Sequence, residues 1–266
     1  MRGMQAGVGA AQALACADRW RVIATFRKAL YIGSNAGLVI LVSPEVPSGP
    51  LHVVLDRPPP AVERDASILA SPDCLVVDGC GIALSEMRAW EGLLPPPERI
   101  RAVASMAGET VRPVAEASAL HQPPYRCRVV KASERAQLGD FGGAFRLLAG
   151  LGPGLTPAGD DLLAGLVFMS RALWGVESEP GLVSLAATAE TSEPSHSFLA
   201  WAARGQSIAP AHDLVVAQAA GDLAGAALAA ERLRTLGASS GADFALGLLW
   251  GVEALGHRVP NQIFST

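Results

Sequence analysis

The chain has 266 residues, half of them hydrophobic and 17% charged, with a formal net charge of -4 at pH 7. That composition supplies one large core or two modest ones and excludes a solvated tail or linker. There is no basic excess and no Lys/Arg stripe interleaved with aromatics, which excludes the electrostatic footprint of a nucleic-acid binder.

Residues 5–16 are small and alanine-rich and run into Asp18 and Arg19 without an extended Leu/Val core, so they do not read as a secretory signal. The longest apolar span, 162–174, is interrupted by Arg171 and falls far short of a membrane crossing. Cys16, Cys74, Cys80 and Cys127 form no C-x-x-C pair and lie far from zinc-ligand spacing. The expectation is a soluble, cytoplasmic protein with buried, reduced cysteines and no membrane partner.

β-Branched and aromatic runs at 21–26, 38–42, 51–55 and 75–77 predict strands. Asn35-Ala36-Gly37 and Asp78-Gly79 supply turns between them, and Pro44, Pro47, Pro50 and Pro58-Pro59-Pro60 break any helix. Short strands without long intervening helices predict an antiparallel, barrel-like sheet. After Pro95-Pro96-Pro97 the period becomes helical, first at 98–107 and then at 133–149, 157–174, 181–191, 195–205, 210–220, 222–236 and 240–256. The expected fold class is α+β. A β-rich domain, 1–125, with a helix near 98–107, precedes an all-helical bundle domain, 126–266. The Ala/Gly-rich stretch 222–230 suits either a tight bundle or a helical partner surface such as that of a homo-oligomer.

The most informative stretch is Gly150-Leu151-Gly152-Pro153-Gly154-Leu155-Thr156-Pro157-Ala158-Gly159-Asp160-Asp161. It joins two predicted helices, with Thr156 as a candidate N-cap and Pro157 as first helical residue. Such a start aims backbone N–H groups outward, where they and the helix dipole favour an anion. Gly152, Gly154 and Gly159 would let a ligand approach the main chain. Asp160 and Asp161 could position Mg²⁺, accept from amide NH₂ groups or act as a general base. The plainer reading is a glycine-rich connection whose acids complement the dipole; the density of glycines, prolines and acids within ten residues favours a site. No G-K-[ST] follows the glycines and no strand precedes them, so the loop is neither a P-loop nor a Rossmann turn.

A second element, Gly237-Ala238-Ser239-Ser240-Gly241-Ala242-Asp243, repeats this logic near the C-terminus. Asp161 to Gly165 and Asp243 to Gly247 share a four-residue step, and Ser240 with Asp243 fits a capping box. Two helix N-termini facing one cavity would suit a small anionic ligand bearing an amide. The candidate catalytic residues are Asp160, Asp161 and Asp243. Gly152, Gly154, Thr156, Gly159, Ser195, Ser239, Ser240 and Gly241 are the candidate anion-binding residues, and Asp160 and Asp161 the only metal candidates.

His52, His121, His196, His212 and His257 are scattered without metal spacing and read as surface or structural residues. Arg171 and Arg204 could clamp a carboxylate or phosphate, or lie on a solvated helix face. Arg27 and Lys28 interrupt an apolar strand region and are candidates for the domain junction. Ser195 and His196 are adjacent and no G-x-S-x-G elbow exists, which argues against a serine hydrolase.

The run G-L-G-P-G-L-T-P-A-G-D-D-L-L-A-G resembles the hallmark of the AllH-like family, formerly a domain of unknown function and associated with oxamate carbamoyltransferase. T-L-G-A-S-S-G-A-D-F-A-L-G is similar to its second signature, with Ala238 where a histidine is frequent, so no imidazole acts there. Thr191-Ser192-Glu193-Pro194-Ser195 is similar to the family's Thr/Ser-rich helix start, and residues 22–29 and Ser48-Gly49-Pro50 to its opening β segment. The resemblance implies a transferase subunit converting oxalurate and phosphate to oxamate and carbamoyl phosphate in allantoin and purine catabolism, beside FdrA-like partner subunits. Carbamoyl phosphate and oxamate are anions carrying amide groups, which demand clustered N–H donors and a few acceptors. The absence of an assignable nucleophile, base and orienter keeps open a non-catalytic ligand-binding or scaffold subunit. A Mg²⁺-dependent hydrolase of a small amide using Asp160, Asp161 and Asp243 is a third reading.

Overall fold

The computed structural model describes residues 1–17 and 19–255. His257 and the end of the helix expected at 240–256 lie outside them. Two compact units, Met1–Gly92 and Leu93–Thr266, make up the chain. The architecture is α+β: sheets fill the first unit and helices the second.

In the first unit β1 (Gly3–Gly7) leads into α1 (Val8–Cys16), followed by β2 (Trp20–Phe26), β3 (Ala29–Ser34), β4 (Gly37–Val42) and β5 (His52–Leu55). After these come β6 (Ile68–Ser71), β7 (Cys74–Val77), β8 (Cys80–Ala83) and β9 (Arg88–Trp90). The main sheet has the order β2-β3-β4-β5-β1-β9, and β6-β7-β8 form a small antiparallel meander. The four predicted strands fall within one residue of β2, β4, β5 and β7. Both predicted turns are present, the second with Asp78 at φ 49° and Gly79 at φ 78°.

The barrel is not closed, because β2 and β9 end the order instead of pairing. Nor is the sheet purely antiparallel: β4 runs parallel to β5 and β1 parallel to β9. The element that changes the topology is β1, whose sequence Gly-Met-Gln-Ala-Gly lacks β-branched residues and so gave no strand signal. It enters between β5 and β9 through backbone pairing, with Ala6 buried in the core and Gln5 accepting from the Ser48 hydroxyl. The alanine-rich segment behind it is α1, which lays Ala10 and Ala13 onto a core of Leu30, Ile32, Val39, Leu41, Val53 and Leu55. Arg27 and Lys28 form the β2–β3 turn, where Lys28 meets Glu45 at 3.4 Å in solvent. Their polarity marks a hairpin tip.

The second unit begins with α2 (Pro97–Ala102) and α3 (Ala104–Ala115), then a single 3₁₀ turn at Ala119–His121, α4 (Arg126–Gln137) and α5 (Phe141–Leu148). It continues with α6 (Ala158–Trp174), α7 (Glu179–Ala187), α8 (Glu193–Ala203), α9 (Ala209–Ala219), α10 (Leu223–Arg234) and α11 (Ser240–Leu255). Residues 93–125, grouped with the strands in the sequence analysis, pack here. The buried stripe Ala104, Ala107, Val111 and Val114 places α3 in the helical core, against α11. The helix expected at 133–149 is two helices, because Gly139 at φ 87° ends one and the Asp140 side chain caps the next by accepting from Gly143 N at 2.7 Å.

At the centre stands α6, buried along its length except at Asp161 and Arg171. A helix apolar all round must be enclosed on every side. Its tightest neighbour is α11, and two glycines allow the approach. A Cβ on Gly165 would lie 2.1 Å from the Phe244 carbonyl oxygen, and one on Gly247 would lie 1.9 Å from that of Leu162. Gly251 meets Met169 further on, so residue numbers rise together and the helices run parallel. Their positive dipole ends therefore share one end of the unit. No helix among the described residues is long and apolar enough to cross a membrane.

Candidate functional site

The loop between α5 and α6 is shaped by three glycines at positive φ: Gly150 (68°), Gly152 (118°) and Gly154 (100°). α6 starts at Ala158 with Pro157 as N-cap residue and no side-chain cap. Thr156 is therefore not the cap. Pro157 at ψ 145° stays outside the helix and leaves Thr156 one residue too far from the first-turn amides. The loop itself supplies the acceptors: Gly159 N–H donates to Leu151 O at 2.8 Å and Asp160 N–H to Pro157 O at 2.9 Å. Gly159 lacks a side chain because a Cβ would sit 2.1 Å from Leu148 O, and this close approach is to helix α5. The amides of Gly152, Gly154, Leu155, Thr156 and Ala158 find no protein acceptor among the described residues. Of these residues Gly154 is exposed, Gly152, Leu155 and Thr156 are half-buried and Ala158 is buried.

Beneath the loop the acids divide by role. Asp160 is buried and saturated, with Oδ1 accepting from Gly150 N at 2.8 Å and Oδ2 from the Thr191 hydroxyl. It fixes the loop to the turn before α8. Ser192 reinforces this by donating to Leu155 O at 2.6 Å while capping α8 through Ser195 N at 3.2 Å. Asp161 and Asp243 are different, because the Oδ2 of each is buried without a hydrogen bond. Burial pushes the Asp161 carboxyl well above the ordinary carboxylate range; the Ser240 hydroxyl pulls it down, and the charges of Asp243 and Asp160 push it further up. Asp243 is fully buried and is likewise raised by desolvation. Ser118 donates to its Oδ1 at 2.5 Å, and Ser239 and the amides of Ala119 and Leu120 also face the carboxyl without closing a bond to Oδ2.

The capping box expected at Ser240 and Asp243 does not close, because each side chain turns to a neighbouring element: Ser240 to Asp161, Asp243 to Ser118. Gly241 stands like Gly159. Its amide donates to Leu236 O at 3.1 Å and a Cβ would lie 1.7 Å from Leu233 O, so helix packing requires it. Ser195 is buried with an unpartnered Oγ. The structure thus brings together Asp160, Asp161, Asp243, Ser239 and Ser240, and ties the α8 turn carrying Ser195 to the same loop. Ser118 was missed, since a lone serine before a 3₁₀ turn has no local pattern.

Other candidates lie elsewhere. Arg171 pairs with Glu179 at 3.6 Å, and Arg204 donates to Ala200 O and stacks over Trp201. His212 is buried between Leu93 O and Ser207 N, and His52 directs Nδ1 to Pro47 O at 2.8 Å; both are structural. Cys16 and Cys127 are exposed and Cys74 and Cys80 half-buried, so the expected burial of the thiols fails. Among the described residues no group of three or more His, Cys, Asp or Glu side chains is arranged to hold a metal. The three-aspartate Mg²⁺ set does not fit this geometry, because Asp160 spends both oxygens on Gly150 and Thr191.

No curated protein and no solved structure matches the chain. A family model does. It is described as oxamate carbamoyltransferase subunit AllH, and it spans residues 148–252. The match begins at the last residue of α5 and ends within α11, so it contains the glycine loop, the Thr191–Ser195 turn and the Asp243 helix start but none of the sheet unit. Over residues 148–252, therefore, the chain is a match to the family of the oxamate carbamoyltransferase subunit AllH, as its loop motif implied.

Proposed function

We propose that the chain is a subunit of an oxamate carbamoyltransferase-like assembly and binds a small, anionic, amide-bearing ligand at the α5–α6 loop. The observation that carries this reading is the set of loop amides at Gly152, Gly154, Leu155, Thr156 and Ala158, all without protein acceptors, at the end of the unit where two parallel helices present their positive poles. Those donors suit a carboxylate or phosphate oxygen. The amides of Gly159 and Gly241 are already used and take no part. The carboxyls of Asp161 and Asp243 would accept from the N–H groups of a carbamoyl or oxamate group, and either one, when protonated, would donate to its C=O. Asp160 holds the loop in place.

A subunit works with partners, and FdrA-like chains are the partners proposed. Oxalurate and phosphate would then yield oxamate and carbamoyl phosphate, with this chain positioning the anion. The assay is carbamoyl phosphate formation from oxalurate plus phosphate by the purified chain with its partners. We expect Thr191→Val, which removes the hydroxyl through which Asp160 holds the loop, to raise KM for the anion at least several-fold while the fold persists. No turnover in the folded assembly, or a KM unmoved by Thr191→Val, refutes the reading.

A further inference from the structure

Helix α6 and helix α11 are alike in more than their glycines. The turn before α5 and the turn before α10 are built the same way: Gly139 (φ 87°) and Gly221 (φ 75°) end the preceding helix, and Asp140 and Asp222 cap the next. Asp140 accepts from Gly143 N at 2.7 Å and Asp222 from Gly225 N at 2.9 Å. Asp140 N–H donates to Arg135 O at 2.9 Å and Asp222 N–H to Ala217 O at 2.8 Å. Gly159 and Gly241 then each press onto the end of the preceding helix, and Gly165 and Gly247 exchange reciprocal contacts. Each residue in the first set recurs 82 positions later in the second (139 and 221, 140 and 222, 159 and 241, 165 and 247). Asp161 and Asp243 fall in the same register.

We propose that residues 126–174 and 209–255 are two copies of one helix-helix-loop-helix unit, and that Asp161 and Asp243, the same position in each, form an acid pair that holds one proton. The reciprocal Gly165–Phe244 and Gly247–Leu162 contacts place a pseudo-twofold axis between α6 and α11, with the equivalent acids one turn before those glycines and near enough for the Asp243 charge to act on Asp161. Each contributes a buried Oδ2 without a hydrogen bond, and among the described residues no Lys, Arg or His forms an ion pair with either. Two buried carboxylates without a cation are costly, and uptake of a proton from solvent removes the larger part of that cost. The groups facing the pair are Asp160 on α6, the Ser239 and Ser240 hydroxyls at the start of α11, and Ser118 with the Ala119 and Leu120 amides on the 3₁₀ turn. None supplies a positive charge; His121 on that turn directs Nε2 to Ala115 O. The donors put the proton on Asp161, since Asp243 has the more hydroxyl and amide groups to favour its ionised form.

The copies differ where a ligand would enter. Nine residues (149–157) join α5 to α6, but only five (235–239) join α10 to α11, so the exposed amide loop belongs to one copy alone. A singly protonated pair offers one donor and one acceptor, the complement of a primary amide; this role rests on the ligand reading above, whereas the pair itself does not. The test is a pH titration of the unliganded full chain by NMR of ¹³Cγ-labelled aspartate, which reports on the pair whether or not any anion binds. We expect one carboxyl still protonated at neutral pH, its transition absent in Asp161→Asn and shifted toward the ordinary range in Asp243→Asn. Ser118→Ala, which withdraws a donor from ionised Asp243, shifts it upward. All aspartates ionised at neutral pH, a transition unmoved by Asp243→Asn and Ser118→Ala, or failure of Asp161→Asn to fold overturns the proposal, because asparagine imitates the protonated acid.

Discussion

Replacing Gly165 by alanine tests the parallel α6–α11 contact on which the site is built. The new Cβ would stand 2.1 Å from Phe244 O, where ordinary contact begins at 3.4 Å, and the obstacle is backbone with no rotamer to yield. The two helices must part by roughly 1 Å along a seam of buried Leu162, Leu166, Leu248 and Phe244. Overpacking of this kind costs about 3 kcal/mol, and the better helix propensity of alanine returns about 1, leaving a loss of about 2 kcal/mol. For a domain of this size that lowers Tm by about 4–8 °C. Gly247→Ala should cost the same within error, since its Cβ meets Leu162 O at 1.9 Å in the mirror contact. Gly81→Ala, with open space around it, is the control. Thermal melts of the three variants decide the matter, and unchanged Tm values for Gly165→Ala and Gly247→Ala would refute the close parallel packing.

His212, whose pKa burial lowers from 6.5 to about 4, should make stability fall with acidity. Its folded value lies below its unfolded one, so the unfolded state binds the extra proton, and the loss develops from about pH 6.5 down to about pH 4, reaching about 3 kcal/mol. Urea midpoints across that range, compared with those of His212→Gln, isolate the contribution; identical slopes would exclude it. Asp140→Ala and Asp222→Ala remove the same cap from two equivalent helices, and each should cost about 1 kcal/mol, with at most a small further loss at Asp140 from its exposed ion pair with Arg135. Urea denaturation giving strongly unequal losses would count against the equivalence of the two turns.

Strands β2, β4, β5 and β7, the helical second half and the loop were legible because each rests on local chemistry: alternation, a 3.6-residue period, glycine and proline at fixed places; β3, β6 and β8 were not, since small residues dilute the one or two strand-forming side chains each carries. β1 was illegible since small residues carry no strand preference and pair only when a sheet edge is offered. The helix break at Gly139-Asp140 was legible but overlooked, as a glycine followed by an N-cap acid is the local signal for it. At the site, the sequence supplied the residues but not their partners. Asp160 and Asp161 are neighbours in the chain with opposite fates, one saturated by Gly150 and Thr191, the other left with a buried bare oxygen. One residue of helical rotation, about 100°, separates them.

By itself the sequence determined four of the strands and most of the helices of the second unit, where the chain can turn sharply, and that two helix starts share an acid and a glycine one turn apart. Only the tertiary structure decided that those helices run parallel with both acids at one end, and that Ser118, more than a hundred residues from Asp243, supplies its hydrogen bond. Local propensity is written in adjacent residues, whereas burial and charge depend on which distant surfaces exclude water together.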